Sequence, residues 1–414
     1  MSLKDTLNTY RGLPREIYIL FIGKIVNSIG AFVHPLMTLI LTQKIGLTSK
    51  EAGYIITLLA ICQVPSLILG GKLSDKIGRR KVIITFQLLG AICLLICGFI
   101  NPSIEMAYII ILSSCFYSIS SPAYDALNAD LTTSENRQKS YSLLYMGVNI
   151  GFAIGPILGG MLYNDYLNIL FIGDAITTLI SLGLFIKFIP ETMNKQKNIE
   201  VGLNRSILDT TIKEDESTFK VLLKIPILIL FSLVMLTYQF GYTQIGFTLP
   251  IQLEELFGQN GASIYGFVAG INGLAVIILT PILTNITKKN NPIKIMSLGG
   301  IFYGVSFFMF GIVKSAVLFY IIMFIMTIGE VLVAINQGAF IANRTPISHR
   351  GRISSILPLI MGVGRAIGPS ITGSIIYKYS MLTGWIIVSA IVITGAIIMN
   401  LLVLIDKQIY EDVK

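Results

Sequence analysis

The sequence predicts an all-α membrane protein of twelve transmembrane helices, arranged as two parallel repeats of six. Three observations carry this. Of 414 residues only 13% are charged and 54% are hydrophobic, and the mean hydropathy is +0.76, whereas soluble domains keep about 25% charged residues. Twelve apolar stretches have the length, roughly 20 residues, that a helix needs to cross the hydrocarbon core. The fifth stretch also matches the eleventh at a shift of 213 residues.

In order the stretches are 16–42, 52–70, 82–100, 105–129, 140–163 and 168–189, then 222–249, 262–284, 294–313, 316–342, 352–377 and 383–405. Core helices of a soluble protein would need polar faces, which these runs lack. Barrel strands would alternate over about 10 residues, unlike the unbroken run Ile225–Leu236. The first run contains Lys24 and has no small-residue cleavage site, so it reads as a membrane helix and not as a signal peptide.

Placing both termini in the cytoplasm puts most of the basic residues on cytoplasmic loops and ends. Only Lys44, Lys50, Lys314 and Lys378 lie outside, and Lys24 and Arg365 lie within helices. Net charge +9 therefore reports orientation in a cell membrane and not a nucleic-acid partner. Cys62, Cys93, Cys97 and Cys115 all fall inside helices, which indicates packing and neither a disulfide nor a metal site.

One long polar interruption, 190–221, divides an N-terminal bundle (1–189) from a C-terminal bundle (222–414). It opens with Pro190-Glu191-Thr192 and reads as a cytoplasmic linker, with a short amphipathic helix around Asn204–Ile212 as a weaker feature. Across the shift, Arg137 matches Arg350, Gly151 matches Gly364, Ile154-Gly155-Pro156 matches Ile367-Gly368-Pro369, and Gly160 matches Gly373. Parallel halves of this kind place a substrate site near the midplane.

Between the second and third helices the chain reads Gly71-Lys-Leu-Ser-Asp75-Lys-Ile-Gly78-Arg79-Arg80-Lys. The glycines permit close approach and a tight turn, Asp75 suits the positive end of a helix dipole, and Arg79 suits a charge-assisted pair with Asp130, upstream of Arg137. This loop resembles the signature of the major facilitator superfamily. The resemblance implies the major facilitator fold, alternating access by rocking of two halves, and a cytoplasmic latch. In the second half the corresponding loop, Thr287–Pro292, lacks the glycines and the Asp, and Asn343 replaces Asp130, so the latch is expected on one side.

The fifth helix carries Gly147, Gly151, Gly155-Pro156 and Gly159-Gly160. Small residues let membrane helices approach closely and Pro156 bends the chain. The spacing resembles the antiporter motif of drug:proton exporters, with Ser142 standing where that pattern often has another glycine.

Charges inside hydrocarbon are costly and mark functional candidates. Glu330 lies about 13 residues into the tenth helix, roughly 20 Å deep, and suits proton binding. Its Gly329-Glu330 pair is similar to that of Gram-positive multidrug transporters, where the acid couples protons or contacts cationic substrates. Arg365 lies at nearly the same depth, either as a structural ion-pair partner of Glu330 or as part of the coupling. Lys24 reads as snorkelling to the interface, and Asp125 as partly solvated near its helix end. Asp174 reads as structural. Asn27, His34, Tyr117, Asp125, Tyr238, Gln239 and Tyr242 are the candidate cavity residues.

Function follows as proton-coupled export of lipophilic or cationic small molecules, with uptake of sugars or amino acids, or lipid flipping, as the alternative cargo. The expected partners are a small-molecule substrate, protons and the bilayer, with no cofactor and no metal, and the chain is expected to be a monomer. No phosphate-binding loop is present, so ATP drive is not expected. Only His34 and His349 occur, without hydrolase or metalloprotease motifs, so no enzyme is expected either.

Overall fold

Proline fixes where the first span departs from a straight helix. Pro35 has no N–H to give the carbonyl of Ala31, and its ring clashes with that carbonyl. In the computed structural model, which describes residues 10–133, 136–193, 218–345 and 350–411, the span α1 is accordingly broken. It runs as Arg15–Ile29, stops at Gly30–Phe32, and resumes as Val33–Leu39 and a π-helical turn, Ile40–Lys44. The sequence stretch 16–42, read as one helix, contained this signal in Pro35.

Five further helices complete the first set: α2 (Ser49–Ile77), α3 (Arg79–Phe99), α4 (Ile104–Leu131), α5 (Arg137–Leu162) and α6 (Leu167–Phe188). A short helix, Thr218–Lys224, ends at Ile225 because the residue before a proline is pushed out of helical geometry, and Pro226 then starts α7 at its favoured first position. The span α7 is also broken, as Pro226–Tyr242 and Thr248–Phe257, with Pro250 four residues beyond Gly246. It is followed by α8 (Gly261–Thr287), α9 (Pro292–Ile312), α10 (Ala316–Arg344), α11 (Arg350–Lys378) and α12 (Met381–Glu411). Among the described residues, eleven helical runs are long and apolar enough to span a membrane, and the longest, Pro226–Thr287, contains both α7 and α8. The stretch Asn204–Ile212 lies outside the described residues.

The chain forms two compact units. Unit 1 comprises residues 1–47, 58–200 and 253–277; unit 2 comprises residues 48–57, 201–252 and 278–414. Large apolar side chains such as Phe99 (80% exposed), Ile61 and Ile278 face outward, as lipid-facing residues do and soluble surfaces rarely do.

Within unit 1, Ile17, Val82, Ile83, Ala123, Leu127 and Phe185 form an apolar core near the α2–α3 turn. Within unit 2, the buried Trp385 donates to Gln252 Oε1 (2.7 Å), and Gln252 donates on to the carbonyl of Phe310 (2.7 Å).

The glycines that repeat in sequence also repeat in their contacts. A Cβ on Gly151 would strike Ser28 of α1, and one on Gly364 would strike the Leu236 carbonyl of α7. Within unit 1, Gly160 closes on the carbonyl of Ala262; within unit 2, Gly373 closes on that of Ser49, and these two partners are again 213 residues apart. Close backbone approach is what these glycines provide.

Candidate functional site

The α2–α3 turn is built around two features, a glycine and an acid that arrives from far along the chain. Gly78 has φ +99°, a region that glycine enters without the steric cost of a side chain. The turn leaves the first N–H groups of α3 without helical partners. Glu191 supplies the acceptors. Its Oε1 accepts from Arg79 N (3.1 Å) and its Oε2 from Arg80 N (3.0 Å), while Thr192 N (2.9 Å) and Met193 N (3.2 Å) also donate to Oε1. Partial burial pushes the Glu191 carboxyl up, and the four N–H donors outweigh it, holding it below the usual carboxylate range.

Arg79 is 4% exposed. Its Nε donates to Asp130 Oδ2 at 3.1 Å, and Nη1 donates to the Ser74 carbonyl at 3.2 Å. Thr192 donates to the same Asp130 oxygen (2.7 Å), tying the residues after α6 to α4. Arg80 Nη2 donates to the Ile186 carbonyl (2.8 Å), and Arg137 Nη2 to that of Ala129 (3.1 Å). Two expected roles fall elsewhere. The Asp75 side chain is 77% exposed and only reaches Arg79 at 3.6 Å; the carboxylate on a helix N-terminus is that of Glu191. Gly71 has open space where a Cβ would stand, so its position does not depend on close approach.

Unit 1 encloses a cavity of about 300 Å³ lined by Lys24, Asn27, His34, Tyr117, Tyr124 and Asp174, among others. Lys24 turns inward, with Nζ 4.6 Å from the centroid of the Tyr124 ring, a cation–π contact in place of snorkelling. Asn27 Oδ1 accepts from Thr178 (2.9 Å). Asp125 is not on the cavity wall but lies near enough to Lys24 for their charges to interact.

Unit 2 holds a second cavity, of about 170 Å³, lined by Tyr238, Gln239, Tyr242, Tyr303, Glu330 and Arg365, among others. Glu330 Oε1 accepts from Tyr242 (2.9 Å), and Arg365 Nη2 donates to Gln239 Oε1 (3.0 Å). Equal depth brings Glu330 and Arg365 to one cavity, and α7 provides a neutral hydrogen-bond partner for each. Tyr238 donates to the Met296 carbonyl (3.2 Å) and packs edge-on against Tyr303.

A family model described as the Major Facilitator Superfamily matches residues 20–346. The chain belongs to this superfamily. A Na⁺, Li⁺, K⁺/H⁺ antiporter of Planococcus maritimus is 23% identical over 380 residues, covering 86% of this chain and 88% of that protein. The multidrug resistance protein MdtH of Proteus mirabilis is 23% identical over 355 residues, covering 85% and 84%. Among solved structures, a peptide transporter POT superposes with a TM-score of 0.76 at 15% identity over 95% of both chains, which shows a shared fold. The chain is thus a multi-pass membrane transporter of small molecules and not an enzyme.

In this major facilitator chain, two elements of the structure lay beyond sequence reasoning. Glu191 and Thr192 join the Arg79–Asp130 cluster from the start of the linker, and nothing local in the Pro-Glu-Thr run signals it. In unit 2, Arg344 Nε donates to Asp406 Oδ1 at 2.6 Å, and the guanidinium lies 4.1 Å from the Phe340 ring centroid. This pair clamps α10 to α12 next to Asn343, at the end where the second half has no signature loop.

Proposed function

We propose that this transporter is a proton-coupled antiporter that exports lipophilic or cationic amphipathic molecules, with Glu330 as its proton site. The observation that carries the reading is a carboxyl inside the apolar helix α10, facing a cavity with three tyrosines and hydrogen-bonded to one of them. Aromatic faces suit flat or cationic apolar cargo, and the carboxylate supplies a countercharge. Protonation removes that charge and weakens the hold on a cation, so proton entry and cargo release become alternatives at one group. Support also comes from the helix-5 glycine spacing and from relatives named as an antiporter and as a multidrug resistance protein.

In this reading the bundles 1–189 and 222–414 rock about the linker 190–221 in a monomer, both termini face the cytoplasm, and the Arg79–Asp130–Glu191 cluster latches the cytoplasmic end. A second reading, transport of amino-acid-like cargo, draws on Arg365, whose guanidinium shares the cavity with Glu330 and matches a zwitterion. The test is accumulation of a panel of lipophilic cations, dyes, antibiotics and amino acids in cells expressing the protein or its Glu330→Gln variant. Export predicts reduced, gradient-dependent accumulation of the amphipathic cations, lost in the variant. Gradient-insensitive accumulation would overturn proton drive, and enhanced amino-acid accumulation would favour the second reading.

A further inference from the structure

One face of α6 is fitted to α1 along its whole length. A Cβ on Gly23 would stand 3.0 Å from Ser181 Oγ, Asn27 takes the Thr178 hydroxyl, Gly30 closes on Thr177, and Phe32 lies 3.1 Å from the Cβ position of Gly173. Asp174 sits in the middle of this seam at the break in α1. Its Oδ2 accepts the backbone N–H of Val33 at 3.2 Å, while the N–H of Phe32 donates to the Gly30 carbonyl at 2.7 Å.

The carboxyl is 7% exposed and borders the unit 1 cavity. Among the described residues it forms no ion pair. A carboxylate without a countercharge at membrane depth is costly, and here the compensation is a backbone donor, Val33 N–H, that is free because α1 is broken. The ionised carboxyl and the break stabilise each other.

Other titratable groups facing this region are Lys24 and His34 from α1 and Tyr117 and Tyr124 from α4. From α3 come the neutral amide of Gln87 and, behind Tyr117, the buried thiol of Cys93.

We propose that Asp174 is a second proton-binding site, located in unit 1, whose ionised form holds the break in α1 and whose protonation releases it. Taking up a proton removes the anion that the Val33 N–H points at, and the loosened segment 30–33 is then free to change its hold on α6. The site is independent of Glu330, which lies in unit 2.

The test counts protons bound by purified protein in detergent as pH is lowered through the near-neutral range, using an indicator dye, with no substrate present. The wild type is compared with Asp174→Asn, Glu330→Gln and the double variant. Loss of one bound proton in Asp174→Asn, and again when it is added to Glu330→Gln, is the expected result. Equal proton uptake by Asp174→Asn and wild type would overturn the proposal, whereas equal uptake by Glu330→Gln and wild type would count only against the Glu330 reading.

Val33→Pro keeps the carboxyl and removes its donor, and it also pushes Phe32, now at φ −81° and ψ −37°, out of helical geometry, which loosens the break further. It is expected to move the corresponding uptake step to higher pH, and an unmoved step would also overturn the proposal. This variant stands as the test if Asp174→Asn does not fold.

Discussion

Alanine at position 78 would put a methyl group 2.5 Å from Glu191 Oε2 and 2.9 Å from its Cδ. Two costs follow. A side chain held at φ +99° and ψ +151°, a region that is essentially glycine's alone, costs about 1–3 kcal/mol. Moving the carboxylate away breaks its bonds to Arg79 N and Arg80 N, each worth about 1 kcal/mol once the exposure of Glu191 is allowed for. The sum, about 3–5 kcal/mol, changes an equilibrium several-hundred-fold or more. The assay is a double-mutant cycle on detergent-induced unfolding followed by circular dichroism, with Gly78→Ala, Glu191→Ala and both. Gly78→Ala should cost about 3–5 kcal/mol alone but only about 1–3 kcal/mol in the Glu191→Ala background, where the backbone cost remains. An equal cost in both backgrounds would refute the placement of Glu191 on the start of α3.

Further outcomes follow from other contacts. Because the Glu191 carboxyl is held below its ordinary value, its contribution is complete above about pH 4.3 and is lost only as pH falls through the lower folded value. A Glu191→Gln variant should therefore keep the wild-type shape of the transport–pH profile near neutrality, and a displaced profile there would show that Glu191 titrates in that range. Removing one partner of the Arg344–Asp406 pair, with side chains 12% and 9% exposed, should cost about 3 kcal/mol, while replacing both with apolar residues of similar volume should cost much less; equal losses in unfolding assays would contradict a paired clamp. Gly155→Ala sets a methyl 2.8 Å from the carbonyls of Ser28 and Ile29, backbone that cannot step aside, so a loss of about 1–3 kcal/mol is expected, and an unchanged stability would mean that α1 and α5 are not held this closely.

The spans were legible because length and hydropathy are local properties, although the stretch 52–70 stops seven residues short of the end of α2 at Ile77, and 222–249, read as one helix, crosses the break in α7 and stops eight residues before its end at Phe257. The repeat was legible for a second reason: the same close approach is needed twice, by Gly151 on α1 and by Gly364 on α7. Arg79–Asp130 could be anticipated because both residues flank neighbouring helices. Glu191 could not, since an acid in a polar linker carries no local sign that it will cap α3 from 112 residues away. Depth placed Glu330 and Arg365 at one level, but the rotation of each helix, which hydropathy does not encode, gave them Tyr242 and Gln239 as partners. Asp174 read as structural because the break in α1 that surrounds it was hidden inside an apolar run, although Pro35 marked it.

The central claim is that cargo and protons exchange at Glu330. Its most direct test uses proteoliposomes with an internal pH dye, an imposed pH gradient and an added lipophilic cation. The account predicts that wild-type protein moves protons when the cation is added, and that Glu330→Gln moves none and binds the cation more weakly. Wild-type proton movement retained in Glu330→Gln would contradict it.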